Sequence, residues 1–183
     1  MTFLGQKAVV TRDKDEILSA DKVILPGVGS FGDAMGKIRQ YGLEPVIRQV
    51  AEKQTPFLGI CLGLQLLFEE SDESPGVAGL GILKGRILRI PESEGLKIPH
   101  MGWNSLTFPR EGSLFKGITG EPYVYFVHSY YLEAADEQIV SAVTEYGVRI
   151  HASVEQGNVF ACQFHPEKSS DTGLHILKNF VEL

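Results

Sequence analysis

The 183-residue sequence contains only two cysteines and five histidines. The two cysteines lie far apart and no signal-peptide pattern accompanies them, so a disulfide framework is excluded and reduced thiols in a cytoplasmic protein are expected. The histidines are scattered, and no Cys/His pair has the spacing of metal ligands. We therefore expect no metal and no other cofactor.

Basic runs and long apolar runs are also missing. Lys and Arg together number 17 against 23 Asp and Glu, and no basic stripe interrupts this acidic balance, which excludes a nucleic-acid partner. No apolar stretch approaches the roughly 20 residues that span a bilayer, so no membrane association is expected. The sequence also has no internal repeat. Its length predicts a single domain over residues 1–183.

The most informative stretch is residues 55–68, which reads as a short buried strand, a sharp turn and the start of a helix. Cys61 lies at the turn between Gly59 and Gly63. This Gly-x-Cys-x-Gly spacing is the nucleophile-elbow pattern with sulfur in place of the serine oxygen. Glycine suits the turn because neighbouring backbone comes too close for Cβ atoms. A thiol at a helix N-terminus is favoured as the nucleophilic thiolate.

Two alternatives weaken the elbow hypothesis when it is considered alone. Cys61 could be a small buried apolar residue, the usual position of a free cysteine. Cys162 is the rival nucleophile, but it lies within a predicted strand with no turn or helix N-terminus beside it. We therefore predict that Cys162 belongs to the core.

The last predicted strand leads into His165-Pro166-Glu167. A cysteine nucleophile needs a base, and the base needs a group that fixes its tautomer and supports its positive charge. The proline stiffens the spacing between His165 and Glu167. In an open α/β sheet the carboxyl ends of the strands lie along one edge, so these two residues can meet Cys61 there. A loop histidine and a helix-entry acid are the structural alternatives.

A glycine-rich run, residues 26–32, follows the strand predicted at residues 22–25. It lacks the Lys-Ser/Thr ending of a phosphate loop. The backbone N–H of Val28 or Gly29 could instead face an oxyanion, although a plain strand-to-helix turn is the commoner structure. Ser30 and Asp33 have the spacing of a capping box that opens the next helix.

The rest of the chain predicts an α/β fold with a parallel or mixed central sheet flanked by helices. The first half reads as βα units, with the strand at 22–25 central in the sheet, and the second half adds mostly antiparallel strands. The acidic segment 69–76 reads as a solvated exit loop. Further strands are predicted at 7–11, 86–90, 123–131, 139–144, 148–154 and 159–164, and helices at 16–20, up to 41, 43–53 and after a Ser169–Asp171 cap.

The run around Cys61 and the His-Pro-Glu run resemble the class I glutamine amidotransferases. Three further runs, residues 25–32, 99–104 and 127–130, resemble the glutaminase subunits of imidazole glycerol phosphate synthase in this family. The resemblance covers essentially the whole chain, and the His-Met-Gly-Trp-Asn run at 100–104 is its most specific part. It implies the flavodoxin-like amidotransferase fold.

The resemblance also implies a function and residue roles. Glutamine would be hydrolysed by a Cys61, His165 and Glu167 triad, and the ammonia would pass to a TIM-barrel synthase (cyclase) subunit in a heterodimer. That subunit makes imidazole glycerol phosphate and aminoimidazole carboxamide ribotide, with Trp103 and Asn104 near the interface. The implied oxyanion and substrate-binding residues are Leu62, Val28, Gly29, Gln65, His128, Ser129 and Tyr130. Taken alone, His128 would more often be a hydrogen-bonded structural histidine.

One departure from the family leaves alternatives open. Family members usually begin with a strand and a Tyr-Gly-x-Gly-Asn-like turn before a helix, and both the strand and the helix are expected to be missing here. The enzyme alternative is a glutaminase of another pathway, such as pyridoxal phosphate or guanylate synthesis. A Cys-His hydrolase of the dienelactone type would share the elbow but not the His-Pro-Glu run. A non-catalytic truncated subunit is the alternative from another class.

Overall fold

A computed structural model describes all residues from 1 to 183. Five helices and ten strands follow one another along the chain. The helices are α1 (Lys14–Ser19), α2 (Phe31–Gln40), α3 (Glu44–Glu52), α4 (Leu62–Leu66) and α5 (Ser170–Val181). The strands are β1 (Val23–Gly27), β2 (Phe57–Cys61), β3 (Glu70–Ser71), β4 (Gly85–Arg89), β5 (His100–Ser105), β6 (Tyr123–His128), β7 (Tyr130–Ala134), β8 (Val140–Glu145), β9 (Arg149–Gln156) and β10 (Val159–Cys162).

The main sheet has five strands in the order β1-β2-β10-β9-β8. Strands β1, β2 and β10 are parallel, whereas β9 and β8 continue the sheet in antiparallel pairs. This arrangement confirms the predicted mixed α/β sheet with antiparallel strands added by the second half of the chain. It also places the ends of β2 and β10 side by side, since Ile60 lies opposite Cys162.

Two small sheets complete the fold. One has the order β3-β4-β7, and the other is the antiparallel pair β5-β6. The run 123–131, predicted as one strand, is divided at Ser129 into β6 and β7, which belong to different small sheets. Strand β6 reaches the main sheet region at this end, where its Tyr125 carbonyl accepts from the His165 N–H.

The core lies on both faces of the main sheet, because successive strand residues point to opposite sides. On β2, Phe57 belongs to one buried cluster and Leu58 to the other. Helices α2 and α3 cover the first face, and α3 buries Val46, Ile47 and Val50 as predicted. Helix α5 covers the second face through Ile176, Leu177 and Phe180.

Helix α2 begins where the sequence predicts. The Ser30 side chain accepts a hydrogen bond from the Asp33 N–H at 3.3 Å and donates one to the Asp33 carboxylate at 2.8 Å. The next two backbone N–H groups are also capped, since Phe31 donates to Glu73 and Gly32 to Ser74. The prediction of a merely solvated loop at 69–76 was therefore wrong, because this segment contains β3 and holds the start of α2.

Two strand predictions near the beginning of the described chain were wrong. Residues 7–11 form no strand and pair with none, and Val10 is fully exposed. Strand β1 was predicted to be central but lies at the sheet edge, because it pairs only with β2. Residues that favour strands form a β-sheet only where the backbone of a neighbouring strand is available for hydrogen bonding.

The closing helix also differs from its prediction in one detail. Ser169 stands at the N-cap position of α5, but its hydroxyl does not cap the helix. It donates to the His165 carbonyl at 2.6 Å and accepts from the Tyr125 N–H at 3.0 Å.

No helix of the structure has both the length and the apolar character needed to cross a membrane.

Candidate active site

Cys61 is the last residue of β2 and the N-cap residue of α4. Its backbone has φ 54° and ψ −111°, a conformation that side-chain-bearing residues rarely adopt. Such strain persists only where the surrounding packing imposes it, and it is typical of functional sites. The side chain is 9% exposed, at the edge where the parallel strands end. This is the geometry of a nucleophile elbow, as the glycine spacing predicted.

The flanking glycines are required by close backbone contacts. A Cβ on Gly63 would collide with the Leu25 carbonyl oxygen of β1, and a Cβ on Gly59 would lie 2.8 Å from the Gly63 carbonyl oxygen. Both positions are therefore closed to any larger residue without backbone movement. The close packing of α4 against β1 and β2 holds the turn at Cys61.

His165 reaches the same edge from β10, the parallel neighbour of β2. Its Nδ1–H donates to the Glu167 carboxylate at 2.7 Å, which directs Nε2 away from Glu167. The backbone of His165 is fixed as well, since its N–H donates to the Tyr125 carbonyl at 2.9 Å and its carbonyl accepts from Ser169. The imidazole is therefore held by Glu167 in the segment after β10, and its backbone is held by Tyr125 of β6 and by Ser169 at the start of α5.

The pKa values of His165 and Glu167 are shifted in directions that favour the charged form of both residues. A hydrogen bond with Cys61 and another with Glu167 raise the pKa of His165 to about 9, against the opposing effect of burial. Burial alone would raise the pKa of Glu167, but the hydrogen bond from His165 brings it below the usual value. The structure thus brings Cys61, His165 and Glu167 together, with His165 protonated at neutral pH.

The sulfur of Cys61 has two further polar neighbours. Gln163 Nε2 lies 3.8 Å from Sγ, and the Val127 carbonyl oxygen lies 4.0 Å from it. The sequence analysis did not identify Gln163, which is completely buried. No local spacing pattern marks it, because its neighbour Cys61 lies 102 positions away in the chain.

Backbone donors lie beside the elbow, at the end of β1. Gly27 is opposite Cys61 in the ladder, so Val28 and Gly29 follow directly next to the nucleophile. Neither N–H donates a hydrogen bond within the protein, and Gly29 has φ +96°, which favours glycine. Leu62 is the first residue of α4, where an N–H has no partner in a preceding helical turn.

Three of the predicted substrate-binding residues, Gln65, His128 and Tyr130, form one hydrogen-bonded group behind Cys61. Gln65 Nε2 donates to the Tyr130 carbonyl and to Gln163 Oε1, each at 3.0 Å. Its Oε1 forms no hydrogen bond within the protein. Ser129 and Tyr130 line an open cavity of about 580 Å³ whose other lining residues lie between 89 and 98, and Cys61, Gln65 and His165 do not border it.

The ring of His128 faces the interior of this group. Its Nδ1 hydrogen-bonds to the Tyr130 carbonyl at 2.9 Å and its Nε2 to His100 Nδ1 at 3.0 Å. Both ring nitrogens are therefore engaged with the protein, as in a structural histidine. Burial lowers the pKa of His128 to about 3 and that of His100 to about 4, so both imidazoles are neutral.

Cys162 lies in the core, as predicted. It is completely buried, and its Sγ donates to the Phe164 carbonyl at 3.5 Å. Burial raises the pKa of its thiol well above the ordinary value. A neutral, enclosed thiol is a poor nucleophile, so Cys61 is the candidate nucleophile of the pair.

Comparison with known families shows which family has this sequence. The model of the family described as glutamine amidotransferase class-I matches residues 6–183. The chain belongs to this family. The amidotransferase retains the cysteine at the elbow and the His-Pro-Glu segment that its sequence predicted to face each other.

Curated relatives of the amidotransferase bear a more specific name. The imidazole glycerol phosphate synthase subunit HisH of Moorella thermoacetica is 55% identical over 180 residues, covering 98% of this chain and 85% of its own length. The subunit HisH of Methanocaldococcus jannaschii is 48% identical, covering 98% of this chain and 89% of its own length. Similarity at this level extends well beyond the Cys and His-Pro-Glu motifs.

Solved structures share the fold of the amidotransferase. A crystal structure of a glutamine amidotransferase superposes with a TM-score of 0.74 at 25% identity, covering 98% of this chain and 89% of the other. The glutaminase domain of Trypanosoma brucei CTPS with bound acivicin gives a TM-score of 0.63 at 18% identity, covering 92% and 74%. At that identity the second likeness concerns the fold alone.

Proposed function

We propose that the chain is the glutaminase subunit of an imidazole glycerol phosphate synthase in histidine biosynthesis. It hydrolyses glutamine to glutamate and ammonia and delivers the ammonia to a synthase subunit. The observation that carries this proposal is the strained elbow cysteine at the end of β2, beside the neighbouring strand β10 whose extension carries an imidazole held by Glu167. The 55% identity to a curated HisH subunit supports the choice of pathway.

The first chemical step is the attack of the Cys61 thiolate on the side-chain amide carbon of glutamine. The C–S bond forms, and the carbonyl electrons move onto oxygen. The backbone N–H of Leu62 and that of Val28 or Gly29 stabilise the resulting oxyanion. Loss of one such donor typically raises the barrier by about 2.7–4 kcal/mol.

His165 then acts as general acid and afterwards as general base. The imidazolium gives its proton to the amide nitrogen, the C–N bond breaks and ammonia leaves. The neutral imidazole next takes a proton from water as that water attacks the glutamyl thioester, and the C–S bond breaks to release glutamate. Glu167 keeps the Nδ1–H tautomer and balances the positive charge of His165 throughout.

The group behind the elbow provides the substrate contacts. Gln65 uses both N–H bonds within the protein, so its Oε1 remains to accept from the α-amino group of glutamine. Ser129 and Tyr130 supply contacts for the α-carboxylate, in keeping with the roles that the family resemblance implies. His128 contributes indirectly, because it fixes the carbonyl of Tyr130.

The partner is a synthase subunit of TIM-barrel type in a heterodimer. An exposed apolar patch lies on the β5–β6 sheet: Met101, Trp103 and Tyr123 are each more than half exposed. Aromatic residues and methionine are enriched at protein interfaces. Ammonia crosses this face and reacts with a phosphoribulosyl formimino intermediate to give imidazole glycerol phosphate and aminoimidazole carboxamide ribotide.

The two free thiols fit a reducing cytoplasm.

The test is the release of glutamate from glutamine, measured for the purified chain with and without the purified synthase subunit. We expect hydrolysis in the complex and a covalent glutamyl adduct on the peptide that contains Cys61. An adduct on Cys162 would refute the mechanism. Absence of hydrolysis in the complex would favour a non-catalytic subunit, and hydrolysis without any binding to the synthase would favour another pathway.

A further inference from the structure

We propose that Gln163 is a further residue of the active site, which donates an amide hydrogen bond to the Cys61 sulfur and positions it for attack. This inference rests on the proposed function, in which Cys61 is the nucleophile. Gln163 is completely buried, and its Nε2 lies 3.8 Å from Sγ. Because it touches the reacting atom, it can act on the nucleophile without touching the substrate.

The orientation of the Gln163 amide follows from its neighbours. The Tyr130 carbonyl oxygen can only accept, so the Gln65 side chain must present its NH₂ group there. The second N–H of that NH₂ points at Gln163, which must therefore present Oε1. Only the NH₂ end of Gln163 remains to face the sulfur. The two amides thus fix each other's direction.

The hydrogen bonds of His128 and His100, which lie behind Tyr130, are consistent with these amide orientations. His128 Nδ1–H donates to the same Tyr130 carbonyl, so its Nε2 must accept from His100 Nδ1–H. His100 Nε2 is then the acceptor towards Asn104 Nδ2 at 3.4 Å. Every donor and acceptor along this row has one consistent assignment, from Asn104 on β5 to the sulfur.

Gln163 is the donor among the two polar neighbours of the sulfur. A thiol can donate to the Val127 carbonyl, but a thiolate cannot, and that 4.0 Å contact becomes repulsive when the sulfur ionises. The N–H of Gln163 then remains as a donor beside His165. A hydrogen bond to a charged group in a buried site is stronger than one between neutral groups. Gln163 therefore holds the thiolate in place between the turn and the imidazole.

The experiment replaces Gln163 and measures the reactivity of Cys61. Gln163→Met keeps the length of the side chain but removes the donor, and Gln163→Glu places a negative oxygen near the sulfur. Alkylation by iodoacetamide at pH 8 is followed by mass spectrometry of the Cys61 peptide. We expect about tenfold slower alkylation in Gln163→Met, because hydrogen bonds to charged groups typically contribute that much. Gln163→Glu should be slower still.

Activity in the synthase complex separates positioning from general damage. Both variants should lower kcat by a larger factor than they raise KM, because Gln163 touches the nucleophile directly and can affect substrate binding only through Gln65. Gln49→Met on the exposed side of α3 is the matched control, and it should leave alkylation and kcat unchanged. Alkylation and kcat of Gln163→Met within twofold of the wild type would overturn the proposal.

A second measurement avoids the risk that a buried substitution unfolds the protein. In the wild type with ¹⁵N-labelled glutamine, the side-chain NH₂ of Gln163 should show contacts to the Cys61 β-protons and should shift in Cys61→Ala. Absence of both signals would overturn the proposal. If the wild type alkylates normally but never hydrolyses glutamine in the complex, the proposed function fails while this inference remains testable.

Discussion

At the scale of single residues, the fold moves the pKa values of three imidazoles in opposite directions. Burial without a charged partner lowers the pKa of His100 and His128 to about 4 and 3. His165 has nearly the same exposure, yet contacts with Cys61 and Glu167 raise its pKa to about 9. Its partners, and not its depth, therefore make His165 the histidine that carries a proton at neutral pH.

The first prediction concerns the pH dependence of glutamine hydrolysis. A pKa raised to about 9 keeps His165 protonated as the pH rises through neutrality, so kcat/KM should persist to about pH 9 and fall above it. Glu167→Gln removes one of the two causes of this shift, and the alkaline limb should move to lower pH. The measurement is the pH profile of kcat/KM in the synthase complex. An alkaline limb that stays near pH 9 in Glu167→Gln would contradict the assignment.

The second prediction compares the two cysteines. Cys61→Ala should reduce glutamine hydrolysis on the order of 10⁴-fold or more, because it removes the nucleophile of a cooperating group. Cys162→Ser is the matched control, since its hydroxyl can still donate to the Phe164 carbonyl and it lies outside the reacting group. Its activity should stay within a fewfold of the wild type. Initial rates of glutamate release decide between them, and equal loss in both variants would be contrary to the mechanism.

The residues that the sequence identified are those whose role has a local signature. Cys61 stands between two glycines, and His165 and Glu167 stand two apart across a proline. Gln163 has no such signature, because its role depends on Cys61, which is 102 positions away. Only the parallel register of β2 and β10 brings the two side chains together. Sequence spacing cannot reveal contacts of this kind.

At the scale of elements, the elbow depends on contact between α4 and the neighbouring strand. Our third prediction is that Gly63→Ala destabilises the protein by about 2 kcal/mol or more, because its Cβ would collide with the Leu25 carbonyl oxygen. Gly36→Ala is the matched control. It lies inside α2 with open space around it, so it should be neutral or stabilising by about 0.5–1 kcal/mol. Urea-induced unfolding gives both values, and a neutral Gly63→Ala would disprove the contact.

The helices and strands that the sequence predicted correctly are those whose position is determined by their own residues. Helix α3 follows from its buried stripe and α2 from its capping box. Residues 7–11 have a strand-like composition but no ladder partner, and the run 123–131 is divided because its two halves pair with different strands. Pairing is a property of two segments, so composition alone cannot assign it.

At the scale of the whole molecule, β6 connects the exposed patch to the reacting residues. Its Tyr125 carbonyl accepts from the His165 N–H, and its Tyr125 ring makes an edge contact with Trp103 at 6.1 Å between centroids. The carbonyl of Val127 on the same strand lies beside the Cys61 sulfur. A partner that binds the patch would therefore contact β6, the strand whose Tyr125 carbonyl accepts from the His165 N–H.

The fourth prediction tests the patch as the binding surface for the synthase subunit. Trp103 is 53% exposed, so Trp103→Ala should change the free energy of unfolding by less than about 1 kcal/mol. If its ring is a central anchor, the variant should weaken binding by about 2 kcal/mol or more, roughly 30-fold. Tyr41→Ala is the control, since Tyr41 is 44% exposed beside Arg12 and outside the patch. Calorimetric titration with the synthase subunit measures both affinities, and wild-type affinity in Trp103→Ala would place the interface elsewhere.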